Sequence, residues 1–180
     1  MGREVSTKRV FVCIDIPEQV KEKIKEVQKN LPAFVGKKTE FENLHLTLKF
    51  LGHLERRKIE EVKKRLEKVR MKKFEASLGP LGVFSEQFIR IVWIKIFGCD
   101  ALQKAVDDSL KGLFEPEARF MSHLTIARVK KVDNRNFFLE KLRKMEIPKI
   151  SFEVDCFRLK ESVLNPEGPR YFDMKIYPLE

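Results

Sequence analysis

The sequence predicts a mixed α/β protein of the α+β kind, built as one domain over residues 1–180 from two similar halves. Three observations lead there. The chain has 180 residues, 43% of them hydrophobic, which is enough for a substantial core. Stretches of strand periodicity alternate with stretches of helical periodicity from end to end. A short strand motif, His-Leu-Thr, occurs once in each half, at His45-Leu46-Thr47 and at His123-Leu124-Thr125.

The elements follow in order. Val10 to Ile16 is an unbroken apolar run, as in a strand buried on both faces. Pro17 pre-sets the first turn of a helix from Glu18 to Asn30, whose inward stripe is Val20, Ile24 and Val27. From Asn43 to Gly52 a strand alternates, with Leu44, Leu46, Leu48 and Phe50 on one face and His45, Thr47 and Lys49 on the other. Glu55 to Arg70 is a basic amphipathic helix that turns Ile59, Val62, Leu66 and Val69 inward. Phe74 to Phe84 and Phe88 to Phe97 form a strand pair around the turn Ser85-Glu86-Gln87. Asp100 caps a helix to Phe114 with Leu102, Val106 and Leu110 inward, and Phe120 to Val129 is the strand of the second motif. Asp133 or Asn134 caps a last helix to about Met145, closed by Pro148. Ile150 to Leu159 and Tyr171 to Ile176 are strands on either side of a turn at Asn165-Pro166-Glu167-Gly168-Pro169. The order of elements and the repeated motif suggest an internal duplication with its boundary near Phe97.

Lys and Arg number 37 against 27 Asp and Glu, a net charge of +10. Such an excess favours a polyanionic partner, RNA first, although a solubilising surface accounts for it equally well. The charged fraction of 36% resembles that of heat-adapted proteins. Cys13, Cys99 and Cys156 are far apart, odd in number and without Cys-x-x-Cys spacing, which argues against a disulfide framework and a zinc site and fits a reducing cytoplasm. No apolar run approaches the ~18 residues of a membrane span, and no secretory apolar core opens the chain. Gly2 and Ser6 match the loose myristoylation pattern, but nothing else indicates a lipid anchor. No phosphate-binding P-loop or dinucleotide fingerprint occurs, and Gly79-Pro80-Leu81-Gly82 reads as a turn.

The chemistry lies in the repeated motif. Histidines occur only at positions 45, 53 and 123, and two of the three share it. On a strand, residues i and i+2 point the same way, so each motif carries an imidazole and a hydroxyl side by side while the intervening leucine faces the core. Histidine titrates near pH ~6.5, so one ring can take a proton from water while the other gives one to a departing oxygen. Thr47 and Thr125 are placed to donate hydrogen bonds to non-bridging phosphate oxygens. This predicts displacement at phosphorus with no metal or other cofactor. Lys49, on the motif face, is a candidate for holding substrate, and Phe50 and Tyr171 are candidates for base stacking. His53, at a strand end after Gly52, has no comparable setting.

Around these residues the chain resembles the two-histidine phosphoesterases, and within them the RNA 2',3'-cyclic phosphodiesterases, also called 2'-5' RNA ligase-like proteins. The resemblance is carried by Arg9-Val10-Phe11-Val12, by His45-Leu46-Thr47-Leu48-Lys49-Phe50-Leu51-Gly52, by Arg119-Phe120-Met121-Ser122-His123-Leu124-Thr125-Ile126-Ala127-Arg128, and by Leu159-Lys160-Glu161-Ser162 with Gly168 and Tyr171. It implies a bilobal fold in which two antiparallel sheets line a central groove, with helices outside. It implies opening of a terminal 2',3'-cyclic phosphate to a 2'-phosphate, with His45 as proton donor, His123 as proton acceptor, and a weak reverse 2'-5' ligation. Arg128 matches an arginine of the family that binds substrate. Strict alternation sets Arg128 on the Leu124 face, so a bulge or strand end between Ala127 and Arg128 is needed to bring it beside His123. Ser122 stands where the family often has proline. The expected partner is RNA ending in a cyclic phosphate, tRNA fragments among the candidates, acted on by a cytoplasmic monomer without membrane contact. Two alternatives remain open: a non-catalytic RNA-binding module, and a phosphodiesterase for a small cyclic phosphate.

Overall fold

The computed structural model describes residues 6–180, so Gly2 and its myristoylation pattern lie outside the described residues. The elements run β1 (Thr7–Asp15), α1 (Glu18–Lys29), β2 (Val35–Lys38), β3 (His45–Glu55), α2 (Arg56–Leu66), β4 (Phe74–Val83), β5 (Ile91–Phe97), α3 (Asp100–Ser109), β6 (His123–Lys131), α4 (Arg135–Arg143), β7 (Ser151–Val154), β8 (Cys156–Asn165) and β9 (Gly168–Pro178). The strands join in the order β7-β4-β5-β6-β3-β1-β8-β9, with β2 added to β6. All their pairings are antiparallel.

The mixed α/β, two-lobed architecture stands as expected, with one difference. The two sheets are continuous, because β3 and β6 meet at the pair Leu46–Leu124. One lobe is β3-β1-β8-β9 and the other is β7-β4-β5-β6. In both, a motif strand is the inner member and pairs with the first strand of its own strand–helix–strand unit, β1 for β3 and β5 for β6.

The chain passes between lobes inside what the sequence presents as one strand, Ile150 to Leu159. Asp155 alone separates β7, which pairs with β4, from β8, which pairs with β1. Burial explains the break. Phe152 and Val154 are buried, then Phe157 and Leu159, so the inward parity changes at Asp155.

The helices cover one side of the sheet with the apolar stripes that their periodicity predicts: Val20, Ile24 and Val27 on α1; Ile59, Val62 and Leu66 on α2; Leu102 and Val106 on α3. Two of them cross over. α1 packs beneath β6 of the opposite lobe and α3 packs beneath β3. Leu46, Leu48, Leu124 and Ile126 are sealed between sheet and helices. At roughly 1.5–3 kcal/mol for each fully buried side chain of this size, these leucines and isoleucines anchor the motif strands.

Candidate active site

Two matching irregularities aim the site. On β3, Cys13 pairs with Thr47 and Val12 with Lys49, which leaves Leu48 unopposed. On β6, Trp93 pairs with Thr125 and Val92 with Ala127, which leaves Ile126 unopposed. Each is a β-bulge three residues after the motif histidine, and the extra residue reverses the alternation beyond it. Lys49 and Ala127 therefore turn to the helix-covered face, while Phe50 and Arg128 turn to the histidine face. This corrects the expected position of Lys49: it is 3% exposed, donates to Asp107 Oδ1 at 2.6 Å and to the Glu115 carbonyl at 2.7 Å, and does not face the groove. Phe50, expected among the leucines, stands in the groove at 62% exposure. Arg128 reaches the groove through the bulge at Ile126, one step earlier than alternation suggested.

The two histidines are held alike. His45 Nδ1 lies 2.7 Å from the Asn43 carbonyl oxygen, and His123 Nδ1 lies 2.7 Å from the Met121 carbonyl oxygen. A carbonyl only accepts, so each Nδ1 carries the hydrogen and each neutral ring offers its Nε2 lone pair to the groove. At His45 this nitrogen meets Thr47 Oγ1 at 3.0 Å, with the hydroxyl donating to the neutral ring. His123 Nε2 has no protein partner among the described residues. In an antiparallel pair, the residue before one partner faces the residue after the other. The pair Leu46–Leu124 thus directs His45 toward Thr125 and Thr47 toward His123 on the groove face.

The surroundings of the rings differ. Phe11 and Tyr171 each lie 5.0 Å from the His45 ring, centre to centre, and Tyr171 meets it edge-on. Burial pushes the His45 pKa down to about 4. His123 meets one aromatic edge, Phe84, at 5.0 Å, and burial lowers its pKa too. Burial raises the pKa of Tyr171. Across the strand pairs, Asp15 stands opposite His45, while Lys95 stands opposite His123. Asp15 is ion-paired to Lys160 at 2.9 Å, and Lys160 to Asp173 at 3.2 Å.

One cavity of about 520 Å³ gathers His45, Thr47, Phe50, His123, Thr125, Arg128 and Tyr171, so every expected site residue except Lys49 lines it. Arg9, Lys37 and Lys38 add positive charge to its wall, with Glu40 beside them. Sequence reasoning missed Lys37 and Lys38, which lie on a short polar strand, and Phe84, which gave no signal beyond ending a strand. The basic helix α2 packs against β3, and none of its residues lines the cavity. Ser122 is fully buried, and its carbonyl accepts from the Ile96 amide at 3.1 Å. Cys13 and Cys99 are buried with raised thiol pKa values, and Cys156 is half-buried; all three are free. Among the described residues no group of three or more His, Cys, Asp or Glu is disposed to hold a metal, and no helix is long and apolar enough to cross a membrane.

A groove between two lobes, with one strand-borne His-x-Thr in each, defines the class of two-histidine phosphoesterases. Comparison with known proteins agrees: the sequence matches the family described as "LigT like Phosphoesterase" over residues 14–93 and 99–171. The chain belongs to this family. It is 33% identical over 168 residues to the RNA 2',3'-cyclic phosphodiesterase of Methanocaldococcus jannaschii, covering 91% of this chain and 96% of the relative. It is 34% identical over 181 residues to the protein of that name from Archaeoglobus fulgidus, covering 94% and 99%. Among solved structures, E. coli LigT complexed with 3'-AMP superposes with a TM-score of 0.78 at 25% identity, over 97% of this chain and 99% of that one. The protein TT0787 of Thermus thermophilus shares the fold, with a TM-score of 0.79 at 24% identity over 94% and 97%.

Proposed function

We propose that this phosphoesterase hydrolyses 2',3'-cyclic phosphate ends of RNA to 2'-phosphate ends, and that one chain suffices for the reaction because it supplies both motifs to one cavity. The observation that carries the reading is the paired presentation of two Nε2 atoms, each backed by a carbonyl on Nδ1, in one groove. Relatives named RNA 2',3'-cyclic phosphodiesterases support the substrate class.

In this reading water attacks phosphorus in line with the P–O3' bond. His123, whose Nε2 lone pair has no protein partner among the described residues, takes the proton of the attacking water. His45, protonated on Nε2, gives its proton to O3' as the P–O3' bond breaks. The products are a 2'-phosphate and a 3'-hydroxyl, with both rings ready to exchange protons with solvent. Thr47 and Thr125 donate to the non-bridging oxygens, where negative charge grows. Arg128 and Arg9 lie on the groove wall and offset the phosphate charge. With a 5'-hydroxyl in place of water, the same steps in the same direction, the P–O3' bond breaking as the new P–O bond forms, give a weak 2'-5' ligation.

His45→Ala and His123→Ala should each lower kcat by roughly 10²–10⁴-fold on an oligonucleotide ending in a 2',3'-cyclic phosphate. Parent-like turnover in both sinks the reading. A substrate with sulfur at the 3' bridging position assigns the roles, because thiolate leaves without a proton. The sulfur substrate should restore turnover to His45→Ala and leave His123→Ala inactive; restoration of the other variant reverses the roles.

A further inference from the structure

Beneath the groove, two buried polar ties link each motif to the other half of the chain. Lys49 follows the bulge on the His45 strand. Its Nζ donates to Asp107 Oδ1 on α3 at 2.6 Å and to the Glu115 carbonyl at 2.7 Å. Asp107 Oδ2 accepts from Gln103 Nε2 at 2.7 Å and from the Glu117 amide at 2.9 Å. Glu115 and Glu117 belong to the connector, residues 110–122, that leads from α3 to His123 and contains the Met121 carbonyl that orients its ring. The other tie is its counterpart. Gln28, on α1 and 4% exposed, donates through Nε2 to the carbonyl of the bulge residue Ile126 at 2.8 Å and to the Thr39 carbonyl at 2.9 Å. The Thr39 amide donates to that same Ile126 carbonyl at 2.9 Å. Thr39 belongs to the connector, residues 30–44, that leads from α1 to His45 and contains the Asn43 carbonyl that orients it.

We infer that the Lys49–Asp107 pair and Gln28 are positioning residues: each fastens the connector that aims one catalytic histidine to the bulge beside the other, and so sets the two rings relative to each other. The inference rests on the proposed pairing of His45 and His123 in one reaction. Its physical ground is the choice of residues. A buried ion pair gives little net stability over apolar side chains of the same volume. A buried amide that donates to two carbonyls is directional where a methionine is not. The groups are costly where only packing is wanted and apt where a connector must be held at one height. A ring misplaced by about an ångström can lose on the order of 10²-fold in rate.

Two variants test it in the full chain: the double replacement Lys49→Met with Asp107→Leu, and the neutral Gln28→Met. Melting temperature, kcat and KM on the cyclic-phosphate oligonucleotide, and the ¹⁵N and ¹H resonances of the two imidazole Nδ1–H groups are measured. The double variant leaves the Gln103 side-chain amide, the Glu117 amide and the Glu115 carbonyl without these partners, so its melting temperature should fall by a few degrees with the fold retained. Its kcat should fall tenfold or more with KM within twofold, and the His123 resonance should move while that of His45 stays. Gln28→Met should lower kcat with the reverse pattern, moving His45 alone. Parent-like kcat in a folded variant overturns the inference, as does a loss in which both rings shift together, which marks general loosening. If the double variant does not fold, Gln28→Met decides. The ring resonances need no turnover, so a parent protein inactive on cyclic phosphate overturns the proposed function separately from the ties.

Discussion

At the scale of single residues, the two stations share a backbone and differ in surroundings. Enclosed by Phe11 and Tyr171, His45 holds a proton weakly, and burial lowers the pKa of His123 as well. The proposed donor is thus the ring with the pKa of about 4, and in the proposed reaction the negative charge of the substrate phosphate would raise it. The pH dependence follows with its sign. The base must be neutral and the acid charged, so kcat/KM, which reports the free enzyme, rises with pH through about 4 and falls above the lowered pKa of His123. Its maximum should lie on the acid side of about 6.5. The kcat profile should lie at higher pH, since the anion raises both pKa values. Steady-state rates from pH 4 to 9 check this, and coincident maxima contradict it. At this scale the sequence was most informative about which side chains gather in the groove. His45, Thr47, His123 and Thr125 could be read from their spacing. Lys49 could not be placed, because nothing in Leu48-Lys49 announces a bulge, and a lysine beside a phosphate site reads more naturally as a ligand than as a buried tie.

Among the elements, β2 shows the limit of periodicity. Val35-Gly36-Lys37-Lys38 is short, mostly polar and exposed throughout, so it is a strand only because β6 is there to pair with it. Gly36 is what allows the approach. Its φ is +155°, and a Cβ there would sit 2.2 Å from the Arg128 carbonyl oxygen. Gly36→Ala must push β2 off β6, at a cost of about 1–3 kcal/mol. The melting temperature should drop by roughly 2–4 °C for each of those kcal/mol. KM should rise as well, because β2 carries Lys37 and Lys38 on the groove wall and braces the backbone of Arg128. A parent-like melting temperature and KM would show that β2 adds nothing to the site. By contrast, the long helices were legible from their stripes, because a helix that buries one face must repeat its apolar residues. The parity change from Phe152 and Val154 to Phe157 and Leu159 is written in the phase of the apolar residues, which hydrophobicity alone does not carry.

For the molecule as a whole, the proposed RNA substrate can be tested by its length, since Arg9, Lys37, Lys38 and Arg128 line the groove. Each phosphate contacted on a single strand steepens the fall of log affinity with log salt by roughly 0.7. On a short oligonucleotide ending in a cyclic phosphate, kcat/KM should exceed that on the mononucleotide and fall more steeply with salt. Equal values across lengths would restrict the substrate to small cyclic phosphates. We propose that the two halves arose by duplication of a strand–helix–strand unit, supported by the matching bulges and crossed helices, with β5 standing to the second half as β1 stands to the first. The bilobal plan was legible from the repeated motif, but the assignment of strands to lobes was not, because it depends on pairings between segments far apart in sequence.

The hand-over at Asp155 has a consequence for synthesis. The second lobe's four-strand path is one contiguous stretch, residues 74–154, whereas the first lobe needs β8 and β9 from the far end of the chain. A ribosome making this protein releases β1 early, and its apolar outer edge stays unpaired until β8 emerges some 140 residues later, counting from Asp15 to Cys156. The half-made chain therefore carries an exposed template for strand addition until β8 arrives to close it.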